Sequence, residues 1–150
     1  GKLVTDLIIP EGVTYIATGA FLGCYSLTSV TFDENSQLTS IGYRAFSYCA
    51  ITSITIPDSV TNIGDSAFIM CTSLESITIP GSVTSIGDNS FSGCTNLSTI
   101  TLPNIPINIG QNVFENTEYI GNILNNNEKF MANPDVIKVM NNVLYKEVLK

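Results

Sequence analysis

The sequence predicts a solenoid in which short parallel strands stack coil on coil around one narrow core. Three observations carry that prediction. Phe21, Phe46, Phe68, Phe91 and Phe114 recur at intervals of 25, 22, 23 and 23 residues. Pro10, Pro57, Pro80 and Pro103, with Asp33 in the second place, recur at 23, 24, 23 and 23. Cys24, Cys49, Cys71 and Cys94 each fall three residues after a phenylalanine. Self-similarity at a period of about 20–50 residues marks an array whose units bury their apolar faces against one another.

The first element of each unit lies just before the proline. Ser29-Val30-Thr31-Phe32, Ser53-Ile54-Thr55-Ile56, Ser76-Ile77-Thr78-Ile79 and Thr99-Ile100-Thr101-Leu102 alternate polar and apolar residues, many of them β-branched. This is the pattern of a half-buried strand, and the proline ends it because it has no N–H to give a ladder. A second apolar pair and a glycine follow: Leu38 and Ile41 before Gly42, Val60 and Ile63 before Gly64, Val83 and Ile86 before Gly87. The glycine predicts a tight corner. The first unit has Ala17 there, which predicts a distorted first corner. A small residue and the phenylalanine come next, as in Ala45-Phe46 and Ala67-Phe68. The small side chain lets the coil close while the ring fills the wide end of the core.

The pattern I-x-I-P-x-x-V-x-x-I-G-x-x-A-F-x-x-C-x-x-L resembles the BspA-like class of leucine-rich repeats, over about residues 3–124. The resemblance implies a leucine-rich-repeat solenoid with its parallel sheet on the concave face and short strands or turns on the convex side. It also implies a surface or secreted protein that binds host-matrix or cell-surface partners. The chain departs from the pattern in its second unit, which gains two residues over Asp33-Glu34-Asn35-Ser36-Gln37 and loses one after Cys49. An insertion in a solenoid maps to a loop, so this segment should bulge outward. The fifth unit carries Asn104-Ile105-Pro106 and has Thr117 in place of the cysteine.

Past Asn125 the pattern stops, dividing the chain into a solenoid over 1–125 and a cap over 126–150. Asn133 as a cap, Pro134 at the first helical position and Asp135 at the positive dipole end favour a helix. Ile137, Met140, Leu144 and Val148 would share its buried face. A further strand pair over Val139–Tyr145 is the alternative.

Charge narrows the partners. Residues 3–128 hold one base, Arg44, against eleven acids, a net −10, while residues 129–150 hold four lysines against two acids, +2. Binding to nucleic acid needs lysine and arginine against phosphate, and an anionic membrane needs the same, so both are excluded. No apolar run approaches the ~18 residues that span a bilayer, and the N-terminus lacks a signal-peptide layout. The opening within a repeat is what a fragment or mature piece would show.

The chemistry that remains is sparse. With no histidine in the chain, serine and cysteine hydrolysis lack their usual base. The four cysteines share one structural position and should form an inward ladder of free thiols rather than a disulfide scaffold. They have neither the paired spacing nor the histidines of a zinc site. Asp65 and Asp88 should stack one coil apart, where like charges either hold a cation, perturb a pKa or lie on a solvated edge. No phosphate-binding loop is present. The sequence therefore predicts no enzyme, no cofactor and no metal.

Two surfaces are candidates for a partner. The outward strand positions Ser29, Thr31, Ser53, Thr55, Ser76, Thr78, Thr99 and Thr101 predict one hydroxyl-lined face, either stabilising the sheet or offering a polar platform to a glycan or extended peptide. Tyr15, Tyr25, Tyr43, Arg44 and Tyr48 gather in the first two units, mostly at positions outside the ladder. Tyrosine and arginine are enriched where proteins meet partners, so this cluster is the stronger candidate. The expected function is a monomeric, extracellular or cell-surface binding domain, with a structural spacer as the alternative.

Overall fold

A computed structural model describes residues 3–103 and 107–119. Within them the chain winds through five coils, each contributing two strands. The first strand of each coil is β1 (Asp6–Ile9), β3 (Ser29–Phe32), β5 (Ser53–Thr55), β7 (Ser76–Thr78) and β9 (Thr99–Thr101). The second is β2 (Tyr15–Ile16), β4 (Ser40–Ile41), β6 (Asn62–Ile63), β8 (Ser85–Ile86) and β10 (Asn108–Ile109). Two five-stranded parallel sheets result, ordered β1-β3-β5-β7-β9 and β2-β4-β6-β8-β10. Their register follows the repeat: Asp6 pairs with Ser29, Ser29 with Ser53, Ser53 with Ser76 and Ser76 with Thr99. The predicted solenoid and its first strand set are both present. The short strands expected on the other side of the coil are present too: Ile41, Ile63 and Ile86, the second members of the apolar pairs, each end a two-residue strand before the glycine corner.

Between the sheets runs one continuous core. Its axis is a column of phenylalanines with centroids 5.3, 5.4, 5.3 and 5.8 Å apart and planes within 13° of parallel. Tyr119 closes the column edge-on to Phe114 at 6.5 Å. Phe46, Phe68, Phe91 and Phe114 are wholly buried, and Phe21 is half-buried in the first coil. Around them Leu38, Ile41, Val60, Ile63, Val83 and Ile86 are also closed off from water. Full burial of each such side chain contributes about 1.5–3 kcal/mol, and none can be gained by a coil standing alone.

Each repeat contains two left-handed backbone positions. Gly19, Arg44, Ser66, Asn89 and Asn112 have φ of 63, 54, 55, 58 and 55°, and Gly23, Tyr48, Met70, Gly93 and Asn116 have φ of 73, 62, 60, 75 and 55°. These are two rows, each repeating once per coil on either side of the phenylalanine. Their N–H groups point along the solenoid to the next coil: Arg44 N donates to Asp65 O at 3.1 Å and Tyr48 N to Ile69 O at 3.0 Å. Between them Phe46 N donates to Ala67 O at 2.8 Å, and the other coils do likewise. This third ladder satisfies the corner backbone without forming a strand.

The corner glycines serve a different need from the one their turn context implies. Gly42, Gly64, Gly87 and Gly110 are not left-handed; they lie against the backbone of the preceding coil. A Cβ on Gly42 would stand 2.5 Å from Ile16 O, and one on Gly87 would stand 2.5 Å from Asp65 N. The corner is therefore set by close approach, and the left-handed turns fall two and six residues later.

The inserted segment Asp33–Gln37 does form a loop, and an ordered one. Asp33 N donates to Ile9 O at 3.0 Å and Gln37 N to Glu11 O at 3.3 Å, so both ends are tied to the first coil. Asn35 N donates to Asp33 Oδ1 at 2.8 Å, bracing the turn within. The expected cap over 126–150 lies outside the described residues.

Candidate functional site

The hydroxyl face forms as the strand alternation requires. Thr31, Ser53, Thr55, Ser76, Thr78, Thr99 and Thr101 are exposed, and Ser29 is half-buried. Thr55 stands beside Thr78 and Thr78 beside Thr101 in adjacent strands. None of the eight hydroxyls has a hydrogen-bond partner among the described residues. Other hydroxyls of the chain do. Thr39 Oγ1 donates to Thr14 O at 3.0 Å, Thr61 Oγ1 to Thr39 O at 3.2 Å and Thr84 Oγ1 to Thr61 O at 3.1 Å, a column that staples coil to coil. Ser47 Oγ is buried and donates to Ser66 O at 2.7 Å. One set of hydroxyls thus holds the solenoid together while the row on the long-strand sheet is free to meet solvent or a ligand.

The tyrosine and arginine residues fall on the other side of the coil. Arg44 and Tyr48 occupy the two left-handed positions of the second coil, and both are exposed. The guanidinium of Arg44 lies 5.3 Å from the ring centroid of Tyr43, within cation–π range. Tyr15 belongs to the same patch: its hydroxyl reaches across the coils to within 2.6 Å of where a Cβ on Gly42 would stand. Tyr25 is the most exposed of the four tyrosines at 75 %, and its ring stands by Gly23, the first-coil counterpart of Tyr48. The structure therefore pairs Tyr43 with Arg44, sets the Tyr15 hydroxyl by the adjoining Gly42, and puts Tyr48 at the second left-handed position of the same coil. Tyr25 lies beside the left-handed column to which Tyr48 belongs.

The cysteines are free and form the inward ladder that their spacing predicts. Cys49, Cys71 and Cys94 are buried, and Cys24 is partly exposed. Each buried thiol donates to the phenylalanine carbonyl of the preceding coil: Cys49 to Phe21 at 3.2 Å, Cys71 to Phe46 at 3.1 Å and Cys94 to Phe68 at 3.1 Å. Burial, with the neighbouring Cys71 and Cys24, pushes the Cys49 thiol up to about 12. The side-chain interaction with Cys94, together with burial, raises the Cys71 thiol as well. In the fifth coil Thr117 holds the cysteine's position, and its Oγ1 donates at 2.7 Å to Phe114 O of its own coil. These groups are structural donors, poorly suited to nucleophilic chemistry.

Asp65 and Asp88 stack as expected, but their carboxylates are engaged. Asp65 Oδ1 accepts from Asp88 N at 2.9 Å, and Asp88 Oδ1 accepts from Gln111 N at 2.8 Å. They form a relay of coil-to-coil caps. Among the described residues no cluster of histidine, cysteine, aspartate or glutamate could hold a metal ion. Nor is any helix among them long and apolar enough to cross a membrane.

A cleft of about 490 Å³ opens between β3 and β5, beneath the inserted loop, and the repeat pattern itself gives no hint of it. Elsewhere adjacent long strands pair at three or four positions, whereas β3 and β5 pair only at Ser29 and Ser53. The sequence signal for it is the length of the second unit.

Comparison with known proteins agrees with this architecture. The family model of the BspA type leucine rich repeat region matches residues 1–121, in six copies. Among solved structures, the pneumococcal vaccine antigen PcpA is similar at TM-score 0.70 and 31% identity, covering 75% of this chain and 28% of its own. A leucine rich cell surface protein of Faecalibacterium prausnitzii A2-165 is similar at TM-score 0.50 and 30% identity, covering 76% of this chain and 39% of its own. A leucine rich repeat protein of T. pallidum shares the fold at TM-score 0.62 and 24% identity, covering 87% and 71%. The chain thus spans well under half the length of the first two. No curated protein matches it.

Proposed function

The chain belongs to the BspA-type leucine-rich repeat family, and from that premise we propose that it is a non-catalytic binding module of a surface or secreted protein. The partner is a protein or a carbohydrate, and Tyr15, Tyr43, Arg44, Tyr48 and Tyr25 form its contact surface. The observation that carries this reading is the backbone at Arg44 and Tyr48. A left-handed conformation costs a side-chain-bearing residue about 1–2 kcal/mol, and glycine or asparagine avoids much of it. The first, fourth and fifth coils use glycine or asparagine at both such positions. The second coil alone fills both with long exposed side chains, and such strain is retained where it serves function. Met70, in the third coil, is the remaining bulky case.

Surface placement is supported by the company the chain keeps: one similar structure is a vaccine antigen and another a cell surface protein. A non-catalytic role fits a chain without histidine whose stacked aspartates are engaged as caps. The solenoid over 1–125 with a separate cap over 126–150 remains part of the proposal.

An array of extracellular-matrix proteins and glycans, probed with the whole chain, tests it. Binding should be present and should weaken about tenfold or more when Tyr43→Ala and Arg44→Ala are combined, the loss expected of a paired hot spot. A chain that binds nothing on the array is a spacer. Binding that survives the double substitution places the contact surface elsewhere.

A further inference from the structure

We infer that the cleft between β3 and β5 is a binding site for neutral oligosaccharides. The inference rests on reading the chain as a binding module, but not on the tyrosine–arginine patch. Three departures from the repeat coincide there. Asp33 replaces the proline, two extra residues lengthen the loop, and Phe32 stands where the other coils have Ile9, Ile56, Ile79 and Leu102. Together they accompany a pairing of long strands reduced to Ser29 and Ser53, beside a cleft within the ~300–1,000 Å³ range of ligand sites.

The lining has the chemistry of a sugar site. Ser29, Thr31, Ser53 and Thr55 line the strand walls with hydroxyls that have no partner among the described residues, each able to donate and to accept. Glu34 and Asp58 add carboxylate acceptors, which suit the paired hydroxyl donors of a pyranose. Phe32, only partly buried, supplies an apolar surface for the C–H face of the ring. The loop wall is fixed by its bonds to Ile9 and Glu11, so little ordering is needed on binding. No lysine or arginine lines the cleft, and the carboxylates repel sialylated or sulfated sugars. Six lining hydroxyls outnumber the three carboxylates of Asp33, Glu34 and Asp58, so a sugar fits better than a basic peptide.

The test is an array carrying neutral oligosaccharides, sialylated and sulfated glycans, and lysine- or arginine-rich peptides, followed by calorimetry on the best neutral ligand. Thr55→Val keeps the shape and strand propensity of its site while removing one hydroxyl. It should weaken a neutral oligosaccharide about tenfold, the effect of one lost hydrogen bond in a closed site. Deleting Glu34 and Asn35 restores the three-residue spacing of the other coils and should abolish binding. Gly81→Ala, at a position that faces open space and does not line the cleft, should leave it unchanged. Three results overturn the inference: no neutral sugar bound, a preference for anionic glycans or basic peptides, or neutral binding indifferent to Thr55→Val. If matrix-protein binding through the tyrosine patch persists while sugars fail, the cleft alone is wrong and the module reading stands.

Discussion

A methyl group on Gly64 would stand 2.9 Å from the Ile41 carbonyl oxygen and 3.0 Å from the backbone at Gly42 and Tyr43. Backbone on both sides cannot yield, so Gly64→Ala should destabilise by about 1–3 kcal/mol, as overpacking generally does. Gly12 and Gly81 face open space, and alanine there should be neutral or slightly stabilising. Chemical denaturation of the three variants checks the contrast. The thiols give a second expectation at this scale. Cys49 in the folded chain is raised from an ordinary 9.0 to about 12, so the folded state holds that proton where the unfolded state has lost it. Its contribution is complete below about pH 9 and is lost as pH rises towards 12. Thermal melting should fall over that window, with a shallower fall in Cys49→Ala. With disulfide-exchange reagent at pH 8, Cys24 should react in the native protein and the buried three only on unfolding. The spacing alone gave the ladder of free thiols, because one period puts all four cysteines at one place. What the thiols bond to was not legible, since the partner is a carbonyl without sequence identity.

At the level of elements, the strands were readable from alternation and the proline, and the outward hydroxyls followed from the same two-residue period. The left-handed columns were not. A residue such as Arg44 gives no hint that its backbone is left-handed; the signal exists only in the column, where Gly19, Ser66, Asn89 and Asn112 share its place. The glycine before it drew attention to the wrong constraint. This column makes a prediction that separates structure from function. Arg44→Asn should relieve strain and raise stability by about 1 kcal/mol while weakening the partner, whereas a purely structural arginine would lose nothing by the change. Melting temperature and array binding measured on the same sample decide it. The cleft was half legible: the extra residues predicted a loop, but not that the pairing of β3 with β5 would shorten to Ser29 and Ser53.

Across the whole molecule, each coil's strands pair with those of its sequence neighbours, so a defect at one coil weakens two interfaces and leaves distant ones intact. The net −10 over residues 3–128 also acts over the whole surface. The chain should pass unretained through heparin and ignore anionic vesicles at low salt, where attraction to a basic patch would be strongest. Retention on either would show that the four lysines beyond residue 128 outweigh the body. The solenoid was legible because a period repeated five times overrides local ambiguity. The candidate sites show in the sequence only as breaks in that period: the Tyr43–Arg44 pair and one wall of the cleft belong to the second coil, where the breaks are, while Tyr15 and Tyr25 belong to the first.

The most direct measurement is the binding of the whole chain to an array of matrix proteins and glycans, alongside Tyr43→Ala/Arg44→Ala and the Glu34–Asn35 deletion. If the second coil is the recognition element, the unaltered chain binds and at least one of the two variants loses about tenfold or more while remaining folded. Binding retained in full by both variants would contradict the account, as would no binding at all.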